Sequence, residues 1–395
     1  RADISKYIET VDDFAAVGEI RLSKNSVGVE AAAALGEAIV KMTSLRIATL
    51  SDIFTGRLNT ETPLALKSLC DALQHTTTLS ELNFGHNAVG AYADAFVGVI
   101  EARGGHGLRV IDLQDQGLAP ASGNIVAAAL ERAAPAQSTA DKAASPSSTL
   151  RVFIARWNRL EDGSSAGWGA AFAAHRTLTA IHLERACLRA QGFQNVVLGL
   201  ASCPNLRYLN LDDNLGAEVD GLNTWPDFAK SLRRWTKLAF LAIGSCCLDN
   251  EGLELILDVF REGRHTKLVT LALDNDFDPS VYPALQEVIA DHLPALKQLG
   301  LIGNEEVEEG DNDNVEEIRT LLKARGGELV TDDEHTWPLP VDQPDEVPAA
   351  PPAAAAPAKP SAPERALSDP ALPSKIASGT ATVDELEAAL AKLTV

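Results

Sequence analysis

Several kinds of chemistry have no foothold in this sequence. No GxxxxGKS or GxxxxGKT segment occurs in the 395 residues, so no phosphate-cradling loop is available to hold a nucleotide. HExxH is absent too, and metal catalysis has no scaffold. The eight histidines are dispersed, none beside a serine or cysteine in a recognisable motif. His182 falls within a strand start and reads as structural. The five cysteines, Cys70, Cys187, Cys203, Cys246 and Cys247, are odd in number and form no CxxC pair. No cysteine-rich cap is visible, so they read as buried thiols in a reducing compartment. No run of 18 apolar residues exists, and no membrane insertion is expected. Basic residues are scarce, 34 Lys and Arg against 55 Asp and Glu, for a net charge of −21. That balance disfavours nucleic acid and anionic membranes and favours a basic protein partner. The first residue is Arg1 and not Met, which leaves a preceding targeting segment open.

What is present is a repeat. Leu206, Leu209, Leu211 and Asn214 stand in the spacing L-x-x-L-x-L-x-x-N, the start of a leucine-rich repeat. The apolar residues line one side of a short strand, and the asparagine amide serves main-chain groups of neighbouring coils. One unit cannot bury its own apolar face, so the pattern means little alone and much in series. The series runs through Ile20 and Leu22; Leu45, Ala48 and Leu50; Leu79, Leu82 and Phe84; Leu108, Ile111 and Leu113; and Leu150, Phe153 and Ala155. It continues through Leu178, Ile181 and Leu183, then Leu206, then Leu238, Leu241 and Ile243, Leu268, Leu271 and Leu273, and Leu296, Leu299 and Leu301. From Ile20 to Leu299 the steps are 28, 34, 29, 42, 28, 28, 32, 30 and 28 residues. A base step of 28 to 29 fits one strand and one full helix per repeat. The expected fold is therefore an α/β leucine-rich repeat solenoid, a ribonuclease-inhibitor-like horseshoe with a disordered C-terminal tail, and the expected state is a monomer.

Ala-rich patterns such as Val29–Ile39 and the Pro-led Pro63–Leu73 supply the helices. The three long steps predict loops. Phe54 to Thr62 follows a strand, Ala133 to Ser148 follows a helix, and Gly216 to Trp225 breaks the third. Residues 1–334 form the expected repeat domain, with terminal caps and an acidic end. Positions 305–334 hold 12 carboxylates against 3 basic groups, suited to steering a basic face, and include a last helix at Asn314–Leu322. Residues 335–375 read as a Pro/Ala-rich disordered linker, and 376–395 as a short amphipathic helix built on Leu386, Leu390 and Leu393.

Ser51-Asp52-Ile53-Phe54-Thr55-Gly56-Arg57 is more particular than a repeat requires. With Asn158-Arg159-Leu160-Glu161-Asp162-Gly163-Ser164, Trp168, Phe172, Leu209–Asn214, Leu299–Asn304 and Glu316–Arg319, it resembles the GTPase-activating proteins of the small GTPase Ran, of the fungal type, over roughly residues 18–330. The acidic run is matched in part, and no SUMO-accepting domain is apparent. The resemblance implies binding of Ran in its GTP state and faster hydrolysis in nucleocytoplasmic transport. The place is the cytoplasm, with the cytoplasmic face of the nuclear envelope and a Ran-binding protein as further associations. GTP and magnesium belong to the partner, so no cofactor is expected here, nor an active site of the chain's own. The family is held to orient the GTPase's glutamine through an asparagine rather than to insert an arginine.

Carried over residue by residue, Arg57 matches the family arginine. It either organises its loop or an interface salt bridge, or touches phosphate. Asp52, Asn59, Asn158, Arg159 and Asp213 become partner-binding candidates, Asn59 standing where members often carry lysine. The chain departs at Gln114-Asp115-Gln116-Gly117-Leu118, where the family has N-N-G-L. Asp115 falls on the catalytic asparagine and Gln116 on the ladder asparagine. A carboxylate only accepts hydrogen bonds, whereas an amide also donates. Two outcomes stay open: weakened or lost activation in a Ran-binding scaffold, or transfer of the orienting role to Gln116. A leucine-rich inhibitor or receptor unrelated to Ran is the reading left if the heptapeptide is coincidental.

Overall fold

The computed structural model describes residues 2–135, 148–217, 221–304, 307, 312–331 and 335–340. These all fall within the first of two compact units, 1–343 and 344–395. Most of the predicted excursion at 133–148, much of the acidic stretch after 304, the linker beyond 340 and the amphipathic helix near the C-terminus lie outside the described residues.

The strands are β1 (Glu19–Arg21), β2 (Ile47–Thr49), β3 (Glu81–Asn83), β4 (Val110–Asp112), β5 (Val152–Ile154), β6 (Ala180–His182), β7 (Tyr208–Asn210), β8 (Phe240–Ala242), β9 (Thr270–Ala272), β10 (Gln298–Gly300) and β11 (Glu328–Val330). They pair in chain order in one parallel sheet. The middle residues stand in register from Ile20 through Ala48 and Leu82 to Leu299 and Leu329. The helices are α1 (Ala2–Ile8), α2 (Val29–Ile39), α3 (Thr62–Leu73), α4 (Asp94–Arg103), α5 (Pro120–Ala133), α6 (Glu161–His175), α7 (Ala190–Leu200), α8 (Trp225–Leu232), α9 (Asn250–Arg261), α10 (Tyr282–Asp291) and α11 (Asp313–Ala324). A helix is wider than the spacing of neighbouring strands, so stacked coils curve with the sheet inside and the helices outside.

Middle strand residues point to the helices and form the core with Leu45, Leu50, Leu79, Leu206 and their counterparts, all fully buried. Aromatic rings fill the central coils: Phe153, Trp168 and Phe172 in one cluster, Phe193, Trp225, Phe228 and Trp235 in the next. The long step at 216–225 therefore does more than make a loop. It ends by driving Trp225 into the core at the head of α8, where its indole donates to the Cys247 carbonyl at 3.2 Å. At the N-terminus, Ile4, Ile8, Phe14 and Val17 cap the first coil.

Buried asparagines tie successive coils together. The Asn158 amide donates to the Leu113 and Ala155 carbonyls at 2.9 Å each and accepts from the Gln116 and Leu118 N–H groups. Asn87, Asn214, Asn275 and Asn304 act alike. Where the sequence has Cys246, the thiol donates to the Leu211 carbonyl at 3.2 Å.

Three expectations need correction. The repeat continues through an eleventh strand, β11, which α11 precedes. The packed domain does not end at 334, because residues 335–340 lie against the sheet: the Tyr208 hydroxyl donates to the Pro338 carbonyl at 2.7 Å, and Trp337 meets Phe240 edge-on at 5.8 Å. The cysteines are not uniformly buried, since Cys187 and Cys247 are exposed.

Candidate partner-binding ridge

Eight successive coils turn from strand to helix through a residue with left-handed backbone just after the strand, Lys24, Asp52, His86, Asp115, Trp157, Arg185, Asp213 and Ser245, with φ between 49° and 62°. Side chains rarely adopt this conformation. It recurs because each of these residues donates its N–H to the carbonyl just before its counterpart in the next coil, from Lys24 to Ser51 through to Ser245 and Asp274. The result is a continuous rib that presents one side chain per coil. Asp52, Asp115 and Asp213 all stand on it.

Asp115 sits at the rib's centre. Its carboxylate meets His86 Nδ1 at 3.0 Å, and the ring nitrogen facing a carboxylate carries the proton. His86 in turn lies edge-on to Trp157, with ring centroids 6.1 Å apart. Trp157 is held in place twice. Its indole donates to Glu184 at 3.1 Å, and the Arg156 guanidinium covers its ring at 4.1 Å. Further along, Arg185 and Asp213 pair at 2.8 Å with both side chains exposed.

A second network, from residues one and three places back, braces the rib from the sheet side. Asn83 and Gln114 both donate to Asp112 at 2.8 Å, Arg156 donates to Gln114 at 2.9 Å, and Arg156 faces Glu184 at 3.6 Å. His182 Nε2 completes the chain at 3.1 Å from Glu184. Burial works against ionisation of Glu184, but the His182 and Trp157 hydrogen bonds and the nearby Arg156 more than offset it and hold the carboxyl near about 2. Burial pushes Asp112 and Asp212 up, Asp212 strongly, and lowers His182 against the opposing pull of Glu184. Asp274 rises to about 6 for the same reason, against the opposing pull of the Ile302 N–H and of His335 and Trp337 nearby.

The other predicted residues divide. Gln116 is fully buried, and its amide donates to the Phe84 carbonyl inside the coil. It is a ladder residue out of a partner's reach, which removes it as a catalytic group. Asn158 is buried in the ladder in the same way and is not a contact residue. The Arg57 guanidinium donates to the Ser26 hydroxyl at 2.9 Å and the Ser26 carbonyl at 2.8 Å, with Glu61 at 4.0 Å. It lies across Gly28, where an added Cβ would stand 2.9 Å from its Nη1. Arg57 therefore clamps one turn to the next, as the loop-organising reading expects. Asn59 is exposed on the same loop, and its carbonyl accepts from the Tyr92 hydroxyl at 2.9 Å. Arg159 is 76% exposed beside Glu161 at 3.3 Å. His86, Trp157 and Arg185 escaped the sequence reading, although the signal was there: each stands one residue before the ladder position of its repeat.

No protein-family model matches the chain. A Ran GTPase-activating protein of Saccharomyces cerevisiae is 27% identical over 324 residues, 78% of this chain and 76% of its own length. One from Xenopus laevis is 34% identical over 185 residues, 46% of this chain and 31% of its own. The chain is a homologue of the Ran GTPase-activating proteins. The Drosophila melanogaster protein of that name is 31% identical over 208 residues, 52% of this chain and 34% of its own. This homologue thus spans about three quarters of the yeast relative and about a third of the frog and fly ones. A solved internalin from Listeria monocytogenes aligns with 76% of the chain and 87% of its own at 12% identity, with a TM-score of 0.36. Among the described residues, no helix is long and apolar enough to cross a membrane.

Proposed function

We propose that the chain activates GTP hydrolysis by a Ran-type GTPase, which it binds in the GTP state along the rib, acting in the cytoplasm. The observation that carries this reading is the common placement of Asp52, Asp115 and Asp213 on one rib, Asp52 half-buried and the other two exposed, with Asp115 in contact with His86. The nucleotide, the magnesium ion and the attacking water belong to the partner. The chain contributes a rigid surface that orients the partner's glutamine and keeps bulk water away. An asparagine amide both accepts and donates, and Asp115 alone does only the first. The Asp115–His86 pair holds the acceptor oxygen in one orientation through the Nδ1 proton, and Nε2 adds a donor toward the partner when the imidazole is doubly protonated. Trp157 walls the pair on one side. With Arg57 engaged on Ser26, activation here does not depend on an arginine inserted from that loop.

A second reading is favoured by the carboxylate itself. Its charge near phosphates opposes activation, which would leave a scaffold that binds the GTP-bound partner and does not accelerate it. Single-turnover hydrolysis by GTP-loaded Ran separates the two. The first reading expects acceleration at catalytic amounts of the parent chain, retained in Asp115→Asn. The second expects a complex without acceleration, and a gain in Asp115→Asn. Absence of any complex overturns both.

A further inference from the structure

The first and third residues of each strand face the inside of the curve, and on coils 7 and 8 the first of them is aromatic. Tyr208 and Phe240 stand side by side on β7 and β8 with rings stacked at 4.2 Å and 7°. Ala242 and Ala272 extend this floor, and Trp337 packs against it. Soluble repeat surfaces do not leave such a face bare without reason. Here it is covered by the chain itself.

We propose that the aromatic floor of β7–β10 is a peptide-binding groove for extended aromatic–proline segments, and that residues 335–340 are its ligand in cis. The fit has four parts. Trp337 and Leu339 each precede a proline, Pro338 and Pro340, which restricts them to extended backbone and lowers the entropy lost on docking. Trp337 supplies the anchor, edge-on to Phe240 at 5.8 Å with planes at 74°. The Tyr208 hydroxyl donates to the Pro338 carbonyl at 2.7 Å, a hydrogen bond to the backbone of the docked segment. Gly300 on β10 leaves the space the indole needs, since a Cβ there would stand 2.9 Å from Trp337 Cζ2. Burial holds the Tyr208 hydroxyl well above its usual range, so it stays a donor. Aromatic-lined grooves are a recurring means of reading proline-containing extended peptides. The groove and the rib are separate surfaces, so the inference does not depend on the proposed activity.

The test uses the full chain labelled with 5-fluorotryptophan. Its five tryptophans are Trp157, Trp168, Trp225, Trp235 and Trp337, and Trp337→Phe assigns the fifth 19F signal by loss. The groove predicts a Trp337 signal displaced from its position in the urea-unfolded chain, with a reduced H2O/D2O isotope shift. It also predicts a move to the unfolded position in Phe240→Ala. The signals of Trp168, Trp225 and Trp235, buried in the core, must stay in place and so report that the variant is folded. If they move, Gly300→Val, which fills the indole's space from the other side, is read instead. A Trp337 signal at the unfolded position in the parent, or one unmoved in the folded groove variant, overturns the proposal.

Discussion

His86 and Asp115 meet at 3.0 Å across two successive coils, so the pair exists only where one repeat is stacked on the next. Both lie on the left-handed rib, whose backbone fixes the direction of each side chain. Their geometry is thus set by coil stacking and not by loop conformation.

If this pair does the orienting, its members are separable. Asp115→Ala should lower stimulated hydrolysis about 10²-fold, the usual effect of removing one positioned group that acts in the transition state. His86→Ala should lower it about 10-fold or more, with affinity for the GTP-bound partner little changed. Single-turnover rates at saturating chain decide it. Equal rates in parent and His86→Ala would leave the histidine no part in activation.

Arg57 is expected to act through the loop it holds. Arg57→Ala should speed hydrogen exchange in 24–28 and 54–61 and weaken partner binding. Ser26→Ala, which removes one of the arginine's acceptors, should do the same in smaller measure. If Arg57→Ala abolished activation with exchange unchanged, the arginine would be touching the partner.

Adjacent residues 158 and 159 should behave in opposite ways. Asn158→Ala strands two carbonyls and two N–H groups in the core, and should cost about 2–4 kcal/mol in urea unfolding. Arg159→Ala should stay within about 0.5 kcal/mol, because the side chain is exposed. Its effect should fall on the partner association rate, and more so at low salt.

Two carboxylates should give stability opposite dependences on pH. Glu184 is held near about 2, below its ordinary 4.5, so its contribution is complete above pH 4.5 and is lost as pH falls toward 2. Glu184→Gln should therefore cost about 2–3 kcal/mol at pH 7 and less at pH 3. Asp274 is raised from 3.8 to about 6, so its contribution is complete below pH 4 and is lost as pH rises through 6. Asp274→Asn keeps the acceptor for the Ile302 N–H and mimics the neutral acid. It should match the parent at pH 4 and exceed it by about 2–3 kcal/mol at pH 7. Urea midpoints from pH 3 to 8 check both.

The sheet was legible wherever leucine spacing repeated. β11 escaped because Glu328-Leu329-Val330 follows a Gly-Gly turn in place of an L-x-x-L start, and it is recognised only by pairing with β10. Gln116 was assigned a ladder position correctly and a catalytic role wrongly. The sequence shows that a glutamine can reach, but not that its amide is already engaged on Phe84. Asp115 carried a site signal through the Gln114–Leu118 match to the family's N-N-G-L segment, whereas His86 was marked only by its place before the ladder asparagine Asn87, and the residue it meets lies 29 positions along the chain. The segment 335–340 was read by composition as linker. Its prolines do exclude strand and helix, but they also suit an extended ligand, and only Tyr208 and Phe240 on distant coils decide between the two.

The rib has a further consequence as a measuring scale. Its side chains recur at the pitch of a parallel sheet, roughly 4.8 Å per coil, and Asp52 and Asp213 stand on coils 2 and 7. Five intervals make about 24 Å, less than the roughly 30 Å width of a small domain. One compact protein can therefore touch both aspartates and the His86–Asp115 pair at once, and a second copy has no room beside it. A partner seated on this edge as proposed would therefore bind one to one.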